Sequence, residues 1–227
     1  MILRASARFL FTENSSRAQR IVHYLIAVSL AEEYPVSDRQ RFLTGSLLPD
    51  AYRSVRERDI THYKVSEGDI HYSDFRRFRE EFHDLVLQDD LYLGYYLHLV
   101  EDALYRRYLR THDYRRPMNL EQRVQLHQDY HILNSLLIHQ YGLRNELTAP
   151  IDLSTEPISR ILSFQLPKLI DDLNHDFHEQ VYGACRYVTL DIINGFIDEA
   201  YPLCAQEMRA VRNGRFTLEP RDYAYRR

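Results

Sequence analysis

Apolar residues recur along the chain mostly with helical spacing, and two stretches are apolar on nearly every face. Residues 21–31 are the first, inside a helix that we expect to run to about Glu33 and to stop before Pro35. Residues 91–109, LYLGYYLHLVEDALYRRYL, are the second, and their apolar and aromatic side chains are typical of a core helix. The pattern therefore predicts two buried helices.

Capping residues and amphipathic stripes predict the remaining helices. The candidate N-caps are Ser37 or Asp38, Ser73, Asp89 or Asp90, Asn119 and Thr189, with Asn14, Ser15 and Ser16 ahead of the first buried helix. Helices follow over about 38–45, 73–88, 119–141, 158–164, 167–180 and 189–212. The stretch 51–72 indicates a long loop, and no stretch alternates as a strand would. The sequence thus predicts an all-α single domain of about seven or eight helices, with residues 1–13 and 215–227 peripheral.

The composition mainly argues against certain classes of protein and ligand. With 44% hydrophobic residues the chain can build a large core, and a net charge of −4 does not favour nucleic acid as its main ligand. Cys185 and Cys204 lack zinc-site spacing and fit reduced thiols. The chain does not open on a signal-peptide pattern, and its longest strongly apolar run is too short to cross a bilayer. We therefore expect a cytoplasmic protein without a membrane span.

The second buried helix carries two residues that can do chemistry. His98 and Asp102 lie one helical turn apart and leave the same face, and Gly94 lies one turn earlier, where its missing side chain leaves room for something to approach. A buried imidazole and carboxylate are costly unless they are paired or bind a metal ion. Taken alone, the pair is more often a core histidine bonded to its own aspartate.

Other histidines and carboxylates are weak signals when each is taken alone. His23 lies in the first buried helix, Asp50 follows Pro49 on a turn, and His62 and His71 fall in the predicted loop. Further along, Asp129 lies on the apolar side of its helix, whereas His127 and His131, four residues apart, lie at its edge. Each of these residues has a plain structural explanation as a core, turn or surface residue.

Their order along the chain carries more information. A histidine in a first buried helix, then GSLLPD, then THY, then LGYYLHLVEDALYRRY resembles the zinc-dependent phospholipase C and single-strand nuclease superfamily, and in particular its small intracellular bacterial branch. The resemblance covers about residues 17–110, with weaker similarity in the segments DYHILN and VTLDIINGFIDEA.

The resemblance implies a zinc site. Asp50, His62 and His98 would hold one zinc ion, Asp102 would bridge to a second, and His23 would reach that second ion, with Asp102 and Asp50 at the catalytic centre. These residue types suit zinc, and two ions can activate water and stabilise a phosphoryl group. The implied function is a zinc-dependent hydrolase of a small-molecule or other phosphoester, either a monoester or a diester.

The chain also departs from that superfamily. The secreted relatives use a processed N-terminal tryptophan as a ligand, and this chain has no Trp. The second ion therefore lacks an obvious further ligand, for which Asp129, His127, His131 and His175 are candidates. A third zinc would need a His and an HxxxE pair, but His112, His127 and His131 have no Glu at that offset, so we expect one or two ions.

Two alternatives remain open. An HD-type phosphohydrolase needs an adjacent His-Asp pair, and His83-Asp84 and His112-Asp113 are available. The other alternative is a helical module that binds metal, or none, without catalysis. No motif identifies the substrate or the oligomeric state.

Overall fold

The long helix predicted around His98 is the central element of the computed structural model, which describes residues 19–112 and 119–226. The helices of the described residues are α1 (Arg20–Glu33), α2 (Arg39–Leu47), α3 (Val55–Thr61), α4 (Phe75–Glu81), α5 (His83–Gln88), α6 (Asp90–Thr111), α7 (Leu120–Gln140), α8 (Leu166–His178) and α9 (Leu190–Arg212). Three short 3₁₀-helices cover Leu48–Asp50, Pro157–Arg160 and Pro220–Tyr223, and the strands are β1 (Lys64–Glu67), β2 (Ile70–Ser73) and β3 (Tyr225–Arg226).

The predicted all-α class is confirmed, and several predicted caps are found. Asp38, Asp89, Asn119 and Thr189 each accept a backbone N–H at the start of a helix. The described residues hold nine α-helices, because a break at Phe82 separates α4 from α5 and because α3 lies where a loop was predicted. The segment 158–164 is only a short 3₁₀-helix, and the predicted caps Asn14, Ser15 and Ser16 lie outside the described residues.

The prediction of a long loop without strands at 51–72 is wrong. Ser54 accepts a hydrogen bond from the Glu57 N–H and begins α3, and β1 and β2 then form an antiparallel hairpin whose turn holds Gly68 at φ +64°. Strands of four residues are too short to give a clear alternation of apolar and polar positions. The hairpin brings Lys64 opposite Ser73.

The C-terminal segment is not the peripheral tail that the sequence predicted. Tyr225 pairs with His71 so that β3 adds a third strand to the hairpin, and Tyr223 is buried. The Arg79 guanidinium donates a hydrogen bond of 2.8 Å to the Leu218 carbonyl oxygen. These partners lie far away in sequence, so no local pattern could show them. The matching prediction for residues 1–13 falls outside the described residues.

Gly94 shows what fills the space predicted beside α6. The backbone of α2 crosses there, and a Cβ on Gly94 would lie 2.8 Å from the Ser46 nitrogen and closer still to the Phe42 carbonyl oxygen. Gly45 makes the reciprocal approach from α2 toward the Leu91 carbonyl. Two helices can cross this closely only where both lack a side chain, and the crossing sets Ser46 beside His98.

Ser73 is not the N-cap that the sequence predicted, because Asp74 accepts the Arg77 N–H at the start of α4, whereas the predicted burial of other residues agrees better with the structure. Cys204 is buried and Cys185 half-buried, and both thiols are free. Asp129 is fully buried, as its place on α7 predicted. In the part of the chain that is described, no helix combines the length and the apolar character that crossing a membrane requires.

Candidate metal centre

The structure brings the five residues His23, Asp50, His62, His98 and Asp102 into one cluster. They come from α1, from the end of the Leu48–Asp50 3₁₀-helix, from the C-cap of α3 and from two successive turns of α6. They form two overlapping groups whose ligand atoms lie within 4.8 Å of one another. We call Asp50, His62 and His98 the Asp50 triad, and His23, His98 and Asp102 the His23 triad.

His62 is the residue whose surroundings differ most from the sequence prediction. It was expected in an exposed loop, but only 3% of its surface is accessible. Its ring follows α3 directly, so that His62 Nδ1 lies 3.0 Å from the Arg58 carbonyl oxygen one turn earlier. Because a carbonyl oxygen can only accept, Nδ1 carries the proton and Nε2 presents a lone pair.

The tautomer of the His98 ring is fixed in the same way as that of His62. Its Nδ1 lies 2.8 Å from the Ser46 carbonyl oxygen, so its Nε2 also presents a lone pair. Burial, helped by the neighbouring His23, lowers the pKa of His98 to about 3, and burial also lowers the pKa of His62. Both rings are therefore neutral at neutral pH, which is the form that binds a metal ion.

The two Nε2 atoms lie 3.3 Å apart, and each directs a lone pair into the same space. His62 Nε2 also lies 3.4 Å from Asp50 Oδ1. With zinc bonds of about 2.0–2.1 Å, two ligands of a tetrahedral site lie about 3.3–3.4 Å apart. These two distances suit ligands of one tetrahedral metal ion, and all three ligand atoms of the Asp50 triad lie within 4.8 Å of one another.

Asp102 faces two different histidines with its two oxygens. Asp102 Oδ2 lies 3.8 Å from His62 Nε2, and Asp102 Oδ1 lies 3.8 Å from His23 Nε2. The rings of His23 and His98 stack with their centroids 3.9 Å apart. The two oxygens of Asp102 therefore face histidines of both triads.

A second ion would have fewer protein ligands than the first. His98 has a single free lone pair, and the two triads share it, so among the described residues only His23 and Asp102 remain for a second ion. The candidate ligands Asp129, His127, His131 and His175 join neither triad. Asp129 instead accepts the backbone N–H groups of residues 186–188, and His175 contacts Glu179.

Glu101 is a site residue that sequence analysis missed. Its Oε2 lies 2.6 Å from His23 Nδ1, and both side chains are almost fully buried. Burial alone would lower the pKa of His23, but Glu101 and the nearby carboxylates raise it to about 8. Glu101 fixes the orientation of this ring, and with a pKa of about 8 the ring is mostly protonated at neutral pH, so His23 would release a proton on binding an ion. The only signal in the sequence is that Glu101 lies three residues after His98.

Two cations next to Asp102 were also missed. Asp102 Oδ2 accepts hydrogen bonds from Lys64 Nζ at 3.2 Å and from Arg106 Nη2 at 3.0 Å. Burial alone would raise the pKa of Asp102, but Lys64 and Arg106 hold it well below its usual range. Burial, together with Arg106, lowers the pKa of Lys64 to about 7. Lys64 could be recognised only once the hairpin that carries it was known.

The adjacent pairs of the HD alternative lie elsewhere. His83 and Asp84 contact each other on the surface, where their side chains are 55% and 86% exposed. His112 is exposed and contacts Glu199, and Asp113 lies outside the described residues. Neither histidine joins the two triads.

Comparisons of the chain with protein-family models, with curated proteins and with solved structures find no match.

Proposed function

We propose that this protein is a zinc-dependent hydrolase of phosphoesters. The observation that carries the proposal is the pair of neutral, buried imidazoles whose Nε2 lone pairs face each other at 3.3 Å beside a carboxylate. Without a cation or a shared proton between them, two such lone pairs repel each other in a medium of low dielectric constant. The described residues therefore fit a metal ion as the group that this cluster is built to hold.

In this proposal three side chains bind the ion and two backbone carbonyl groups orient the histidines. Asp50, His62 and His98 hold one ion, and the backbone carbonyls of Arg58 and Ser46 keep the two rings in the binding tautomer. A bound zinc ion supplies Lewis acidity and lowers the pKa of water.

The carboxylates form the accessible side of the cluster. The side chains of Asp50 and Asp102 are 9% and 10% exposed, against 4% for His23 and His62. Burial alone would raise the pKa of Asp50, but His62 and His98 lower it, so both carboxylates stay ionised. A substrate therefore approaches past Asp50 and Asp102, which we propose as the residues nearest the chemistry.

One observation favours a second candidate function. Because only His23 and Asp102 remain for a second ion among the described residues, the cluster could hold one structural ion without catalysis. The number of metal ions bound and the hydrolysis of phosphoesters distinguish this module from the enzyme.

The test uses protein purified without chelators and without a His tag. We expect at least one zinc ion per chain by elemental analysis and hydrolysis of simple phosphoesters, with metal and activity lost together in Asp102→Asn. His83→Ala is the matched control, because it removes an exposed histidine and should change neither quantity. An Asp102→Asn variant that stays active at full metal content would refute the bridge. Protein without metal would refute the proposal, and one ion without hydrolysis would favour the module.

A further inference from the structure

Lys64 and Arg106 share both of their nearest acceptors. Lys64 Nζ donates to Asp102 Oδ2 at 3.2 Å and to Ser73 Oγ at 2.9 Å. Arg106 Nη2 donates to the same carboxylate oxygen at 3.0 Å, and its Nη1 lies 3.4 Å from the same hydroxyl oxygen. The Lys64 amine and the Arg106 guanidinium are thus held side by side on one carboxylate oxygen, with side chains that are only 14% and 24% exposed.

Arg58 adds a third positive charge. It lies on α3 one turn before His62, and although burial opposes this, the charges of Asp102, Asp50 and Asp59 help to raise the pKa of its guanidinium. Its Nε atom is buried and has no hydrogen-bond partner among the residues described. A buried guanidinium N–H without an acceptor is costly, so a ligand that brings an acceptor oxygen would be stabilised here.

A metal ion increases this excess of positive charge. Asp102 is the carboxylate that pairs with Lys64 and Arg106, and a metal ion bound by the His23 triad would share it with them. Lys64 has a third N–H, for which the described residues supply no acceptor. With an ion bound, this N–H of Lys64 would be available to an acceptor oxygen of an anion.

We propose that Lys64, together with Arg106 and Arg58, binds a phosphate group that carries two negative charges, so that the substrate is a phosphate monoester. The inference rests on the proposed function and names its substrate class. A monoester offers three non-bridging oxygens and close to two charges near neutral pH, whereas a diester offers two oxygens and one charge. Charged donors bind such oxygens more strongly than neutral ones do.

The experiment measures the binding of inorganic phosphate to the zinc-loaded protein by calorimetry, for the wild type and for Lys64→Met. Losing one charge-assisted hydrogen bond should weaken phosphate binding about 10- to 100-fold. Zinc content should stay the same, because Lys64 is not a ligand. Lys168→Met is the matched control, since Lys168 is the only other lysine and lies exposed on α8, where it contacts Asp172. The wild type should also bind phosphate at least about tenfold more tightly than dimethyl phosphate, a diester probe.

A second measurement needs no variant. Acetylation of the zinc-loaded wild type, followed by mass spectrometry, should show that phosphate protects Lys64 and leaves Lys168 equally reactive. The inference is overturned if Lys64→Met binds phosphate as tightly as the wild type, if dimethyl phosphate binds as well as phosphate, or if phosphate leaves the acetylation of Lys64 unchanged.

The outcomes distinguish failure of the monoester inference from failure of the proposed function. A protein that binds no zinc refutes both. A zinc protein that hydrolyses phosphoesters but binds phosphate without the help of Lys64 refutes only the monoester inference.

Discussion

Gly94→Ala tests the close crossing of α2 and α6 that positions the candidate metal centre. The added Cβ would lie 2.8 Å from the Ser46 nitrogen and closer to the Phe42 oxygen, both of them backbone atoms that cannot rotate away. Ordinary contact needs about 3.4 Å, so the helices must separate by roughly 1 Å, and overpacking of this kind costs about 3 kcal/mol. For a domain of this size that corresponds to a fall in Tm of about 6–12 °C.

The crossing also positions His98, a proposed metal ligand, so Gly94→Ala should change metal binding as well as stability. Ser46 moves with α2, and its carbonyl oxygen holds His98 Nδ1 at 2.8 Å. We therefore expect Gly94→Ala to weaken zinc binding as well as to lower the free energy of unfolding measured in urea. Gly183→Ala is the control, because its Cβ would meet only the flexible end of Ile132, and it should cost less than about 1 kcal/mol. The reasoning is refuted if the two variants are equally stable.

Two further predictions concern buried groups. Replacing Glu101 by Ala should weaken zinc binding about 10- to 100-fold, because His23 loses the carboxylate on its Nδ1, and Glu101→Gln, which keeps an acceptor oxygen, should lose less. Competition with a coloured chelator measures both affinities, and an unchanged affinity in Glu101→Ala would show that His23 contacts no ion. Burial raises the pKa of Tyr95 and Tyr105 well above 10, so the stability they contribute is present below pH 10 and is lost as the pH rises further. The chain has 18 tyrosines and some are exposed, so only the last part of the tyrosinate absorbance should appear together with the loss of circular dichroism. Ionisation of all the tyrosines without unfolding would contradict this.

The helical part of the fold was predictable because its signals are local. The apolar stretch 91–109 lies within α6, and Asp89 is the N-cap directly before its first turn. Both features can be predicted from residues that are close together in the sequence. The same holds for Asn119, which begins α7 with a capping box. Periodicity works where a helix is long enough for its pattern to repeat.

The candidate site was predictable only in part. His23, Asp50 and His62 were selected through the order of motifs and not through spacing, because each comes from a different element and the fold alone brings them together. Lys64 and Glu101 act on the site through contacts that span 38 and 78 residues of the chain. Contacts between residues so far apart in the sequence produce no periodic pattern of residue types.

The placement of the ligands has a consequence for how fast an ion would exchange. His98 and Asp102 lie on the 22-residue helix α6, which is buried along most of its length, whereas Asp50 ends a three-residue 3₁₀-helix and His62 follows a helix of seven residues. Short elements open locally far more often than a buried central helix does. We therefore expect the proposed ion to leave through transient opening of residues 48–62 while α6 keeps its shape, so its exchange rate should depend on this segment.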